Sequence, residues 1–313
     1  MTAPTPPVLR SIGALREAVA GWRRASETVG LVPTMGALHE GHLELVRRAR
    51  ADNGRVVVSI FVNPTQFGPN EDFTRYPRDL DSDAGKLASV GVDAIFAPEV
   101  AEMYPAGAAT TVSVAGLTDG LCGPFRPGHF NGVATIVAKL LLQTLPDAAY
   151  FGEKDYQQLQ VVKQLVRDLD IPAHIVGVPT VREADGLALS SRNAYLSADE
   201  RRIAGTLNRV LAEAATEAAS GAATAAIVDR ARAALLAAGF RSVDYVEIVD
   251  AATLKPLDRV TGPARIAAAV RLGSTRLIDN RAVNDSNSEF NDQMRVARGI
   301  MDKRREALRK FAE

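Results

Sequence analysis

Cysteine and histidine are scarce in this sequence, and their scarcity argues against two kinds of site. Cys122 is the only cysteine among 313 residues, and histidine occurs four times. One thiol cannot form an internal disulfide, and so few thiols and imidazoles disfavour a structural zinc site. The sequence therefore predicts a protein of the reducing cytoplasm, in which Cys122 is a small packing residue.

An excess of charge of either sign is also absent. Lys plus Arg and Asp plus Glu number 37 each, which gives a formal net charge of zero. This balance argues against a nucleic-acid or anionic-membrane partner, although it allows a local basic pocket for phosphates. No apolar run is long enough to span a bilayer, and residues 1–10 lack the apolar core of a signal peptide. We therefore expect a soluble protein without membrane or nucleic-acid partners, whose first ten residues are frayed.

Apolar runs alternate between strand and helix spacing over residues 31–181. Strands are predicted at residues 30–34, 56–62, 94–97, 148–151 and 174–178, and helices at 11–26, 42–50, 80–90, 133–145 and 156–169. Residues 56–62 form a near-continuous β-branched run, which is typical of a strand buried on both faces of a parallel sheet. The pattern predicts an α/β fold with a Rossmann-like doubly wound parallel sheet, in which ligands bind at the carboxyl ends of the strands.

The composition shifts after this sheet. Residues 197–239 are Ala-rich and predict two helices that are separated near residue 220, and residues 243–249, 265–272 and 275–279 predict strands. We predict a Rossmann-like domain over 1–185, a smaller α+β domain over 186–283 and a helical tail over 284–313. Phe290, Met294 and Met301 fall at helical spacing in the tail. That spacing favours an amphipathic helix docked on the body or on a partner subunit over a regulatory or nucleic-acid role.

The strongest local signal is residues 33–42, PTMGALHEGH, between a predicted strand and a predicted helix. Gly36 and Gly41 let a ligand approach the backbone closely, and the helix N-terminus favours phosphate. His39 and His42 are three residues apart, so they point the same way on one helical turn and can donate to phosphate oxygens. Two solvated histidines or half of a metal site are the alternatives. The segment is similar to the His-x-Gly-His signature of the nucleotidylyl-transferase superfamily, which indicates adenylyl transfer but not the acceptor.

Three further segments carry polar side chains at strand exits or at the domain boundary. Residues 152–158 contain Lys154, a point charge suited to phosphate, and Gln158, which can both donate and accept. Residues 185–193 contain Ser190, Ser191 and Arg192, a candidate mobile phosphate clamp. Residues 59–68 end a strand with two amides and an aromatic ring. Taken singly, the lysine could be an exposed loop residue and the serines an ordinary linker.

In this order, the segments together resemble the pantoate–β-alanine ligase family. The resemblance runs over residues 30–280 and includes 33–42, 63–68, 76–78 (YPR), 126–133 (RPGHFNGV), 152–158 and 187–193. It implies a homodimeric ligase of pantothenate biosynthesis that uses pantoate, β-alanine and ATP with Mg²⁺. The pantoate carboxylate would attack the α-phosphate of ATP to give pantoyl adenylate and pyrophosphate, and the β-alanine amine would then displace AMP.

The resemblance also implies roles for individual residues. His42 would be the proton donor with His39 beside it on the phosphates, while Lys154 and the clamp of Ser190, Ser191 and Arg192 would steady the triphosphate. The residues expected to line the nucleotide site are Met35, Gly36, Ala37, Leu38, His39, Glu40, Gly41, His42, Gly152, Glu153, Lys154, Asp155, Val181, Leu189, Ser190, Ser191 and Arg192.

The same resemblance implies sites for the acid and the metal. Gln66, Gln158, Asn63 and Arg126 would bind substrate, and Met35, Phe61 and Val133 are candidates for the apolar wall against the gem-dimethyl group of pantoate. Asp83 and Asp81 are both candidate Mg²⁺ ligands, since Ser82 stands where relatives often carry an acid. Residues 68–78 would form a flap that excludes water from the activated acid.

Two other functions compete with the ligase. Another nucleotidyltransferase would share His39 and His42 but not the paired glutamines, and a tRNA synthetase is disfavoured by the neutral charge and by the lack of an anticodon-binding domain. A nucleotide-binding sensor could keep the fold and use the tail as its output helix. The combination of His39, His42, Lys154 and Arg192 favours catalysis over mere binding, because a sensor has less need of groups aimed at the α-phosphate.

Overall fold

The computed structural model describes residues 5–69 and 71–283, and these form two sheets with helices. The first part contains β1 (Val8–Leu9), α1 (Ile12–Arg24), β2 (Val29–Thr34), α2 (Glu40–Asp52), β3 (Arg55–Ile60), α3 (Leu80–Ser89), β4 (Ala94–Phe96), α4 (Val100–Met103), α5 (His129–Thr144), β5 (Ala148–Gly152), α6 (Tyr156–Asp168) and β6 (His174–Val178). The second part contains α7 (Ala198–Ala204), α8 (Thr206–Ala218), α9 (Thr224–Ala237), β7 (Ser242–Asp250), β8 (Ala264–Leu272) and β9 (Thr275–Val283).

The first six strands form a parallel sheet in the order β1-β4-β3-β2-β5-β6, which confirms the predicted Rossmann-like fold. β2 pairs with β3 on one side and with β5 on the other. The chain winds outwards from β2 to β4 and then crosses back to β5, so the winding direction reverses between β2 and β5. A doubly wound sheet opens a crevice at such a reversal, beyond the carboxyl ends of the strands. The loops that follow Thr34 and Gly152 therefore meet there.

The second sheet is antiparallel, in the order β7-β8-β9, and successive side chains along its strands face opposite sides of the sheet. Along β8, Ala267 and Ala269 belong to an apolar core that includes residues of α5 and of the parallel sheet. Ile266, Ala268 and Val270 belong instead to a separate core that includes residues of α8 and α9. One face of the small sheet thus packs on the core of the parallel sheet, and the other packs on α8 and α9.

Two sequence expectations were wrong. Residues 8–9, expected to be frayed, form the edge strand β1 with Val8 opposite Ile95. The two helices expected over 197–239 are three, since the first is interrupted at Gly205 between α7 and α8. A Cβ atom at Gly205 would lie 2.7 Å from the Asp185 carboxylate, so glycine fits this close approach. β9 also extends to Val283, beyond its predicted end. The predicted helix over 284–313 lies outside the described residues. Within residues 5–69 and 71–283, no helix is both long and apolar enough to cross a membrane.

Candidate active site

A cavity of about 230 Å³ lies at the crevice between the ends of β2 and β5. It brings together most of the residues singled out in the sequence: Met35, His39, Gly41, His42, Phe61, Asn63, Gln66, Arg126, Val133, Gly152, Lys154, Asp155, Gln158, Val181, Leu189, Ser190, Ser191 and Arg192. Seven predicted site residues do not line it: Gly36, Ala37, Leu38, Glu40, Asp81, Asp83 and Glu153. Glu40 pairs with Arg47 on the exposed side of α2, and Glu153 pairs with Arg265.

The loop between β2 and α2 owes its shape to a buried carboxylate on α3. Gly36 and Ala37 have φ values of 80° and 52°, in the left-handed region. The two oxygens of Asp83 accept the backbone N–H groups of Ala37 and Leu38, both at 2.8 Å. The side chain of Asp83 is only 2% exposed. Its position supports a structural role rather than the metal-binding role expected from the sequence, and Asp81 is an exposed residue on the same helix.

This assignment predicts opposite behaviour for the two aspartates. Asp83→Asn replaces one accepting oxygen with an NH₂ group, which leaves a buried backbone N–H unsatisfied. We expect it to lower the free energy of unfolding by about 1–3 kcal/mol. Asp81→Asn should change it by less than about 0.5 kcal/mol. Urea unfolding in EDTA measures both. If Asp83→Asn unfolds like the wild type in EDTA and loses only Mg²⁺-dependent activity, Asp83 is a metal ligand after all.

His39 and His42 form the start of α2 and face each other with ring centroids 4.1 Å apart. Nδ1 of His39 accepts the N–H of Gly41 at 3.2 Å, and Nδ1 of His42 accepts the N–H of His39 at 3.3 Å. A neutral imidazole that accepts at Nδ1 carries its proton on Nε2. Each ring therefore keeps an Nε2–H donor for a ligand, so the two rings can donate together to one anionic group.

Burial keeps both imidazoles neutral. It lowers the pKa of His39 to about 4, with a further contribution from the charge of Lys154. Burial, His39 and Lys154 lower the pKa of His42 to about 3. In the ligand-free protein at neutral pH, these rings are thus hydrogen-bond donors rather than cations. Bound phosphate would bring negative charge close to both rings and raise their pKa values, which favours proton donation only when the substrate is present.

The neutral histidines predict a protein that is less stable in mild acid. His39, His42, His129, whose pKa is lowered to about 4, and His174, whose pKa is lowered by burial, titrate near 6.5 once unfolded. Below pH ~6.5 the unfolded chain binds more protons than the folded chain, so stability falls with pH. We expect the full free energy of unfolding above pH ~6.5 and a steady loss towards pH ~4.

Urea unfolding at half-unit steps of pH tests this expectation. Carboxylates whose pKa values are lowered in the folded protein also reduce its stability in acid, but mainly below pH ~4, outside this range. His129→Gln removes one of these four groups of histidine and should flatten the slope. A free energy of unfolding that does not change between pH 7 and pH 5 would show that the imidazoles are accessible to protons in the folded state.

Lys154 supplies the cation on the β5 side of the cavity. It lies in the short turn Glu153–Asp155 directly after β5, and its Nζ is 3.5 Å from Oδ2 of Asp155. Burial raises the pKa of Asp155, but Lys154 and Arg192 outweigh this effect and hold that pKa below its usual value. Asp155 is the only carboxylate among the described residues that line the cavity. No group of three or more potential metal ligands occurs in the described part of the chain.

The predicted clamp closes the cavity from the domain boundary. Ser190 caps the short turn Ser191–Tyr195, and the hydroxyl of Ser191 donates to the carbonyl of Ala37 at 3.1 Å. The clamp is thereby joined to the loop that carries the histidines. Arg192 lines the cavity together with His39, His42 and Lys154, so four nitrogen-bearing side chains share it.

A second group of side chains that line the cavity is linked by hydrogen bonds. Asn63 Nδ2 donates to Gln66 Oε1 and to the carbonyl of Gly132, both at 3.1 Å. Gln66 Nε2 lies 3.0 Å from the sulfur of Met35. Asn63 is buried and its amide is used internally, so its geometry supports the loop more than a substrate. Gln66 and Gln158 both line the cavity.

Arg126 and His129 were not expected to act together. Arg126 pairs with Glu71, and its Nη1 lies 2.8 Å from Nε2 of His129. The Nδ1–H of His129 donates to the carbonyl of Gln66 at 2.8 Å. Most donors of Arg126 are thus taken, which argues against the predicted direct contact with substrate. His129 stands in the segment 126–133 that carries the family resemblance, and this was the one sequence signal for it.

A smaller cavity of about 50 Å³ adjoins the first and shares Arg126, His129, Lys154, Asp155 and Gln158 with it. Cys122 lies at its wall, buried, with its sulfur 3.2 Å from the hydroxyl of Tyr245. This position between the two domains agrees with the packing role expected for the single cysteine.

Comparisons with known proteins point to one family. The family model described as "Pantoate-beta-alanine ligase" matches residues 7–282. The chain is 59% identical over 276 residues to the pantothenate synthetase of Paramagnetospirillum magneticum, which covers 88% of this chain and 97% of that relative. It is 57% identical over 274 residues to the pantothenate synthetase of Moorella thermoacetica, which covers 87% and 97%.

Solved structures agree with this result. The crystal structure of pantothenate synthetase from Thermus thermophilus superposes with a TM-score of 0.84 at 52% identity, and the match covers 89% of this chain and 100% of that one. A pantoate–β-alanine ligase from Francisella tularensis, complexed with "Beta-gamma ATP" and β-alanine, superposes with a TM-score of 0.76 at 35% identity over 90% and 99% of the two chains.

Proposed function

Since this chain belongs to the pantoate–β-alanine ligase family and is therefore a ligase, we propose that it forms pantothenate through a pantoyl adenylate, consuming ATP and releasing pyrophosphate and AMP. The observation that carries the proposal is the pair of neutral imidazoles, His39 and His42, whose Nε2–H donors share one cavity with Lys154 and Arg192. This donor set fits a polyphosphate.

In the first step, a carboxylate oxygen of pantoate attacks the α-phosphorus of ATP. A new P–O bond forms, and the bond between the α-phosphorus and the bridging oxygen to the β-phosphate breaks, so that pyrophosphate leaves with the electron pair. Negative charge grows on the phosphate oxygens as the bond breaks. His39 and His42 donate to these oxygens, while Lys154 and Arg192 offset the charge of the departing pyrophosphate.

In the second step, the neutral amine of β-alanine attacks the acyl carbon of the adenylate. The C–N bond forms, the bond from the acyl carbon to the AMP oxygen breaks, and the amine proton passes to solvent. AMP is a far better leaving group than the oxide that an unactivated carboxylate would have to release. The apolar wall of Met35, Phe61 and Val133 would seat the dimethyl group of pantoate, with Gln66 and Gln158 on its polar groups.

Several further features belong to the same proposal. The complex of the Francisella tularensis ligase supports ATP and β-alanine as ligands of this site. Mg²⁺ would neutralise the β- and γ-phosphates and be held mainly through them, since Asp81 and Asp83 do not line the cavity. We also propose a homodimer in the cytoplasm and, over residues 68–78, a flap that keeps water from the adenylate.

Isotope exchange between ATP and pyrophosphate tests the first step alone. With Mg²⁺ and pantoate present and β-alanine absent, we expect exchange that depends on pantoate. Adding β-alanine should then drive net conversion of ATP to AMP and pyrophosphate, with pantothenate and AMP formed in equal amounts. If purified, folded protein shows no exchange and forms no AMP with all three substrates, the two-step ligase is excluded, and a nucleotide-binding sensor becomes the alternative.

A further inference from the structure

Two adjacent acidic residues, Glu71 and Asp72, lie outside the cavity in the segment that follows the short turn Pro64–Gln66. Each binds an arginine on the cavity wall, and each uses the same edge of the guanidinium. Oδ2 of Asp72 accepts from Nε of Arg192 at 3.0 Å, and Oδ1 accepts from Nη2 at 2.7 Å. The two oxygens of Glu71 accept from Nε and Nη2 of Arg126, both at 2.6 Å. Such paired, charge-assisted bonds fix the plane of the guanidinium as well as its place.

In each arginine the carboxylate leaves the Nη1 group unused, and this group serves a different purpose in the two residues. Since Asp72 occupies Nε and Nη2 of Arg192, the Nη1 group remains as a donor for a ligand in the cavity that this side chain lines. Nη1 of Arg126 instead meets Nε2 of His129, and the opposite nitrogen of His129 holds the carbonyl of Gln66. Asp72 is therefore linked to the phosphate side through Arg192. Glu71 is linked to the backbone of Gln66 on the acid side through Arg126, whose Nη2 also lies 3.4 Å from the carbonyl of Gln66, and through His129.

We propose that Glu71 and Asp72 are positioning residues with separate duties: Asp72 orients Arg192 towards the phosphates of ATP, and Glu71 orients Gln66 towards pantoate through Arg126 and His129. The inference rests on the proposed function, because it takes the two ligands from it. Neither carboxylate needs to touch a substrate, and neither lines the cavity. Because Glu71 and Asp72 are adjacent in sequence, one segment fixes the orientation of both arginines, and through them both halves of the site.

The electrostatics agree with this arrangement. Burial raises the pKa values of Glu71 and Asp72, but their arginine partners outweigh burial and hold both values below the usual range. Both acids are thus ionised at neutral pH and keep the side-on pairs intact. An isosteric amide in either position would still accept one guanidinium N–H through its oxygen. Its NH₂ group would face the second N–H, which it cannot accept, so the guanidinium would have to rotate.

The test measures KM for ATP and KM for pantoate for each variant in the pantoate-dependent exchange reaction. We expect Asp72→Asn to raise KM for ATP about tenfold and to change KM for pantoate less than about twofold. Glu71→Gln should do the reverse, and Asp72→Glu should recover much of the lost affinity for ATP. Calorimetry with a non-hydrolysable ATP analogue should show about tenfold weaker binding for Asp72→Asn only.

Asp199→Asn is the matched control, because it removes the same charge from an exposed pair with Arg202 on α7 and should leave all constants unchanged. Equal rises of both KM values in both variants, or no rise in either, would overturn the positioning roles while pantoate-dependent exchange by the wild type still upholds the ligase. A wild type without exchange and without analogue binding would instead reject the proposed function, and the positioning roles with it.

Discussion

His42→Ala is expected to lower kcat by about 10²–10⁴-fold while changing the free energy of unfolding by about 1 kcal/mol or less. The catalytic loss follows from the Nε2–H donor of His42, which is held at the start of α2 and aimed into a cavity shared with Lys154. A donor that is already in place when charge develops on the phosphates stabilises the transition state without reorganisation. The stability cost is small because the change removes one capping contact, to the N–H of His39, and the ring contact with His39.

Exchange kinetics and urea unfolding, measured on the same preparation, check this expectation. Lys154→Ala should behave in the same way, since Lys154 has one weak ion pair with Asp155 and is otherwise directed to the cavity. His174→Ala is the control, because His174 begins β6 and does not line the cavity. If His42→Ala loses stability in proportion to activity, the histidine is a structural residue of the α2 terminus, and the catalytic role fails.

The sheet and the meeting of the two histidines with Lys154 could be predicted because their causes are local in sequence. Buried parallel strands are marked by apolar runs such as residues 56–62, and the spacing of His39 and His42 alone puts the two rings on one turn. The carboxyl ends of β2 and β5 then had to meet at the reversal of the winding, which brought Lys154 to the histidines. The family resemblance added Gln66, Gln158 and the clamp, all of which line the cavity.

Most of the supporting contacts could not be predicted because they join residues that are far apart in sequence. Asp83 looked like a metal ligand since it stands among acids, yet it closes a loop 45 residues away by accepting two N–H groups. Arg126 looked like a substrate contact, yet Glu71 and His129 take most of its donors. Residue type does not decide between these roles. A carboxylate can bind a metal or accept backbone N–H groups, and a guanidinium can donate to a substrate or to the protein itself.

The role of Gly132 also depends on a contact between segments that are far apart in sequence. The second of the two largest expected effects concerns this residue. Gly132 lies in the first turns of α5, where its carbonyl accepts from Asn63 at 3.1 Å. A Cβ atom there would lie 2.5 Å from the carbonyl carbon of Thr65 and 2.7 Å from the nitrogen of Gln66, and closer still to the oxygen of Thr65. α5 and the turn Pro64–Gln66 are therefore in backbone contact, so one methyl group must push them apart.

We expect Gly132→Ala to lower the free energy of unfolding by about 1–3 kcal/mol and to raise KM for pantoate by about tenfold or more, with KM for ATP nearly unchanged. The displaced turn carries Gln66, whereas the histidines and Lys154 are on other elements. Urea unfolding and exchange kinetics measure the two effects.

Gly85→Ala is the control for this substitution. Gly85 is also helical, but a Cβ there meets no atom within 4 Å, so alanine should stabilise α3 by up to about 1 kcal/mol through its helix propensity. The opposite signs of the two Gly→Ala changes separate close contact from propensity. If Gly132→Ala is also stabilising and leaves KM for pantoate unchanged, α5 does not fix the position of the Gln66 turn, and the acid side of the site must be held by other contacts.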